Sequence, residues 1–83
     1  MKEDARVLFG RRLRTIRKSR DLSQEELAFE AGLDRTYISG IESGKRNVSL
    51  INICRLAEAL QVTPGALMEF GNPAPSTPYN PRA

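Results

Sequence analysis

The chain has 83 residues, 40% of them hydrophobic and 28% charged, with a formal net charge of +3. That is enough sequence for one small domain with one core, and too little for two. It holds one cysteine and no histidine, which excludes an intramolecular disulfide, a structural zinc site and catalysis built on Ser–His–Asp or Cys–His pairs.

No apolar run approaches the ~18 residues of a membrane span, and no signal-peptide pattern is present. The expectation is a cytoplasmic protein with no membrane, metal, cofactor or small-molecule partner. No phosphate loop is present either: Gly40 and Gly44 lack the spacing and the flanking strand of a P-loop. The charge is unevenly spread. Residues 1–22 carry Lys2, Arg6, Arg11, Arg12, Arg14, Arg17, Lys18 and Arg20 against Glu3, Asp4 and Asp21. Such a segment suits a polyanion such as nucleic acid, or is a solvated helix face.

Residues 4–19 read as the first helix, with Ala5, Phe9, Leu13 and Ile16 at helical spacing on a buried face. Val7 and Leu8 lie off that stripe and suggest a second buried side. Gly10 is a weak point in a helix interior; it either permits a close helix contact or is a tolerated surface glycine.

Residues 24–44, QEELAFEAGLDRTYISGIESG, read as two short helices joined by a tight turn. Ser23 can cap the first, 24–31, and Glu26 completes a capping box. Gly32 sits where the chain turns with φ > 0. Asp34 caps a second helix, 35–43, which Gly44 ends. Leu27, Ala28, Ala31, Leu33, Ile38 and Ile41 can share one interior. Arg35, Thr36, Tyr37 and Ser39 remain at the exposed start of the second helix. All four donate hydrogen bonds, and the major groove of DNA accepts such a helix. Glu25, Glu26 and Glu30 form a solvated face rather than a catalytic pair, in a chain too small for a pocket.

Lys45, Arg46, Asn47 and Val48 come next. Ser49 can cap a fourth helix, 50–60, with Leu50, Ile53, Ala57 and Leu60 as its stripe and Cys54 and Leu56 beside it. Cys54 reads as a buried structural thiol rather than a redox sensor. Thr63 caps and Pro64 opens a fifth helix, 64–70, which Gly71 ends. Leu67 can complete the core. So short a helix cannot hide Leu67, Met68 and Phe70 together within one monomer, so the three mark a dimer interface or fold under the C-terminal tail. That tail, residues 72–83, NPAPSTPYNPRA, holds four of the five prolines without apolar periodicity. It reads as a flexible segment after a domain of residues 1–71, or as a Pro-rich docking segment.

From Phe9 to Leu67 the chain resembles the lambda-repressor-like (Cro/C1, XRE) helix-turn-helix family. The resemblance rests on Leu13 and Arg17, on Ser23-Gln24-Glu25-Glu26-Leu27-Ala28, on Gly32-Leu33, Ile38-Ser39, Ile41-Glu42, Gly44 and Arg46, and on Leu50, Leu56, Ala57, Leu60 and 62–67. Within the family, 34–42 and Arg46-Asn47 are similar to the controller proteins of bacterial restriction–modification systems. The Pro-rich tail is not part of that pattern.

The resemblance implies an all-α fold: a compact five-helix domain with the helix-turn-helix at helices two and three. It implies a homodimer joined through the C-terminal helices on a two-fold-related double-stranded DNA operator. It also implies control of a restriction–modification operon, activating at low occupancy and repressing at high, with RNA polymerase as a further partner. Base contacts then fall to Arg35, Thr36, Ser39 and Arg46. For Arg35 the choice is a bidentate pair to guanine or a phosphate contact; Ser39 is a weaker reader or simply solvated. Backbone contacts fall to Gln24, Tyr37, Ser43, Lys45 and Asn47, with partial core cover as Tyr37's other role. Arg17 pairs with Glu42, binds phosphate, or does both. Alternatives to the controller reading are a phage-type repressor, an antitoxin-type regulator and a protein-interaction module that does not bind DNA.

Overall fold

The computed structural model describes residues 3–75. Four α-helices run α1 (Ala5–Ser19), α2 (Gln24–Ala31), α3 (Arg35–Glu42) and α4 (Leu50–Leu60), followed by a 3-10 helix, Pro64–Met68. Among the described residues there is no strand, and no helix is long and apolar enough to cross a membrane.

Short polar side chains start every helix. Asp4 accepts from the Arg6 N–H, Asp34 from Thr36, Ser49 from Asn52 and Thr63 from Ala66. Ser23 and Glu26 exchange bonds of 3.0 and 2.9 Å in a complete capping box. Each cap satisfies an otherwise orphan N–H and contributes about 1 kcal/mol. Gly32, at φ 67°, ends α2 and sends the chain through Leu33 into the cap of α3.

The core is Leu13 and Ile16 of α1, Leu27 of α2, Ile38 and Ile41 of α3, Leu56 and Leu60 of α4, and Leu67 of the 3-10 helix, all fully buried. A side chain on Gly10 would collide with the Ile41 carbonyl oxygen. Gly10 is therefore the close contact of α1 on α3, and the surface-glycine alternative is excluded.

The fold departs from the sequence pattern in several places. Ala5 is exposed and Arg12 is buried on the same helix. In α4 the inward residues are Leu56, Ala57 and Leu60, while Leu50 is 75% exposed and Ile51 67%. Cys54, expected to be buried, lies on that outer face and is exposed. The last helix is 3-10 and stops at Met68, because its five residues complete no sustained α-helical ladder.

The start of the expected tail departs as well. Residues 72–75 do not leave the domain. Arg12 donates from Nε to the Ala66 carbonyl (2.8 Å) and from Nη1 to the carbonyls of Asn72 and Pro73. Arg20 donates to Leu60 (3.0 Å) and to Pro75 (2.8 Å), and Ala74 packs against the core. Two guanidinium donors anchor this stretch, which its composition does not show. The rest of the expected tail, 76–83, lies outside the described residues.

Candidate nucleic-acid interface

The second helix of the motif is held from behind by charge. Arg17 of α1 donates from Nε to Glu42 Oε2 (2.6 Å) and from Nη2 to Glu42 Oε1 (2.9 Å). Its Nη1 donates to the Leu22 carbonyl at 2.8 Å. The two side chains are 9% and 3% exposed, so this is an interior pair. The carboxylate bonds raise the Arg17 pKa further, against the opposing effect of burial. Three of the five guanidinium N–H donors are thus engaged inside the fold, which supports the pairing with Glu42 among the readings of Arg17.

Gln24 joins the same carboxylate, its Nε2 lying 3.1 Å from Glu42 Oε1. The N-terminus of α2, the C-terminus of α3 and α1 thus meet at one acid. Gln24 keeps its second amide proton and its carbonyl for another partner.

Arg35 and Thr36 occupy the first turn of α3, exposed, with Ser39 exposed one turn on. Asp34 caps the helix through the Thr36 N–H (2.7 Å), and Thr36 itself is exposed. Tyr37 is half-buried. Its hydroxyl oxygen accepts from Asn52 Nδ2 of α4 (3.2 Å), so its own proton remains to be donated. Ser43 directs its hydroxyl to the Gly40 carbonyl (3.1 Å). Ser43 is exposed, and its hydroxyl can turn from this bond toward another acceptor. Lys45, Arg46 and Asn47 are exposed in the loop beyond. The Arg46 guanidinium stands 5.8 Å from the Tyr37 ring centroid, within cation–π range.

Of the residues expected at a dimer interface, Leu67 is fully buried in the monomer core and cannot meet a partner. Phe70 is half-buried against the core. Met68 is 50% exposed. It lines a groove of about 150 Å³ with Ala5, Phe9, Val48 and Ile53 among its walls. Sequence reasoning placed Leu50 on the inner stripe of α4 and passed over Ile51 and Asn52. A polar Asn52 within an apolar helical run was the available signal for the last.

Capped helices, an outward donor set and an internal charge clasp define a helix-turn-helix DNA-binding protein. The Helix-turn-helix family model matches residues 13–67. The control protein C.BamHI of Bacillus amyloliquefaciens is 54% identical over 71 residues, 84% of this chain and 88% of that protein. The crystal structure of the restriction–modification controller protein C.AhdI from Aeromonas hydrophila superposes with a TM-score of 0.74 at 56% identity, covering 75% of this chain and 94% of that one. The controller protein C.Esp1396I, solved as a tetramer in complex with its natural 35 base-pair operator, gives 0.74 at 31% identity, covering 82% and 90%. The chain belongs to the helix-turn-helix family and, within it, to the restriction–modification controller proteins, which are transcriptional regulators.

Proposed function

We propose that the protein is a dimeric, sequence-specific operator-binding regulator of a restriction–modification operon. The observation that carries this is the outward set Arg35, Thr36 and Ser39 on a helix fixed from behind by the Arg17–Glu42–Gln24 cluster. A rigidly mounted donor set is what base readout in the major groove requires. Arg35 and Thr36 read base edges. Arg46 reaches a base edge or the minor groove, and Gln24, Tyr37, Lys45 and Asn47 meet the phosphate backbone.

So few side chains specify only a few base pairs, and a second copy doubles the reading. The surface that suits a second copy is the outer start of α4, Leu50 and Ile51, together with Met68. RNA polymerase, as a partner in activation, has one apolar foothold on α2: Phe29, 83% exposed among Glu25, Glu26 and Glu30.

The test is selection of duplexes by the protein from a random-sequence pool, followed by gel shifts across a salt series. A two-fold-related sequence should emerge, and its affinity should fall linearly in log–log form with salt. That sequence should also lie upstream of endonuclease or methyltransferase genes. No enrichment and no salt-dependent binding would leave a protein-interaction module as the reading.

A further inference from the structure

The Arg46 side chain folds back over the recognition helix, and it crosses that helix at a glycine. A Cβ built on Gly40 would lie 2.8 Å from Arg46 Cγ, 3.3 Å from Nε and 3.6 Å from Cδ. Three residues earlier, on the same face of α3, the Tyr37 ring stands 5.8 Å from the guanidinium carbon. Asn52 of α4 holds the far end of that ring.

The backbone does not ask for a glycine here. Gly40 is not among the positive-φ residues, whereas Gly32 and Gly44 are. Nor does helix packing ask for one: at Gly10 an added side chain meets the backbone of α3, but at Gly40 all three nearest atoms belong to Arg46. Glycine is a poor helix former, and α3 has only eight residues. The space left by the missing side chain is filled by the aliphatic stem of Arg46.

We infer that Gly40 is a positioning residue for Arg46: its bare backbone seats the arginine stem across α3, with the guanidinium over Tyr37, before DNA arrives. An arginine already seated loses less freedom on binding, and the interface is tighter for it. This rests on Arg46 being a DNA contact, and the experiment separates the two claims.

Affinity for the pool-selected duplex is measured at one salt concentration for the wild type, Gly40→Ala, Arg46→Ala and the double variant, with thermal melts alongside. Gly40→Ala should melt at or above the wild-type temperature, since alanine favours the helix. It should nevertheless bind about tenfold more weakly, the scale of one misplaced specific contact. The double variant should bind no more weakly than Arg46→Ala alone. Wild-type affinity in Gly40→Ala beside a weakened Arg46→Ala overturns the seat and leaves Arg46 as a DNA contact. Wild-type affinity in Arg46→Ala overturns the contact itself and the seat with it. A Gly40→Ala loss that persists in full without Arg46 also overturns the seat. So does a melting point lowered by about ten degrees, which would assign the glycine to packing.

Discussion

Arg17 and Glu42 face each other through two hydrogen bonds, 2.6 and 2.9 Å long, across 25 residues of chain. The pair ties α1 to the last residue of α3, and Gln24 extends it to the first residue of α2. Removing one partner leaves the other charge buried and unpaired. Glu42→Ala should therefore cost about 3–5 kcal/mol in urea unfolding. A loss below about 0.5 kcal/mol, the range of a surface pair, would remove this structural role.

Arg35 and Gln24 should fail in different ways. Arg35→Ala should lower affinity for the selected duplex by about 1–3 kcal/mol and relax the preference at one base pair. Gln24→Ala should weaken binding to all sequences alike, because a phosphate contact carries no sequence information. A repeat of the pool selection with each variant distinguishes the two patterns. A changed consensus for Gln24→Ala would contradict its assignment.

The proposed dimer surface is tested by charge. Leu50→Asp and Met68→Asp place a carboxylate on residues that are already solvent-exposed in the monomer, so each variant should fold. Sedimentation should show a lighter species than wild type at equal concentration. An unchanged dimer would move the interface to another face. Phe70 is a poorer probe, because it packs on the core and its loss mixes folding with assembly.

Acid should release the first cap. The Arg6 side chain, then the Arg6 N–H, lower the Asp4 pKa from 3.8 to about 2. The folded carboxyl thus binds its proton less readily than the unfolded one. Its contribution is whole above about pH 4 and fades as pH falls through about 2. Wild type and Asp4→Asn should accordingly converge in stability over that interval. Carboxyl NMR titration should place the Asp4 midpoint near 2; a midpoint at the ordinary carboxylate value would remove the effect.

Truncation after Gly71 should destabilise the domain. Arg12 would lose the carbonyls of Asn72 and Pro73, and Arg20 that of Pro75. Hydrogen bonds from charged donors contribute about 1.5–3 kcal/mol each, so a urea midpoint indistinguishable from wild type would show that the stretch is not held in solution.

The parts legible in the sequence were those decided within one turn of helix. Ser23, Asp34, Ser49 and Thr63 cap because a short side chain reaches an N–H two or three residues on; Asp4, counted within the first helix, caps in the same way. The motif and its outward donors come from such signals and from family resemblance. What stayed hidden depended on a distant partner. Arg12 looks like surface charge until the carbonyls of Ala66 and Asn72 are seen around it. Leu50 matches the inner stripe of α4 by spacing, yet no element covers it in the monomer. Tyr37 shows its hydroxyl in the sequence but not the Asn52 amide that aims it.

Every hydrogen bond from Arg12 and Arg20 to residues 72–75 ends on a main-chain oxygen. A grip of that kind is blind to side-chain identity. A substitution at Asn72 leaves these bonds in place, whereas Ala74, packed on the core, is where side-chain size counts. The arginines, one within α1 and one at its C-cap eight residues on, also dictate the direction of travel, from the middle of that helix to its end. A fluorophore or fusion partner joined beyond Pro75 would therefore depart from a defined corner of the domain, beside Arg20, whatever its own sequence. That makes the position a natural place from which to measure distances between the copies of the proposed dimer.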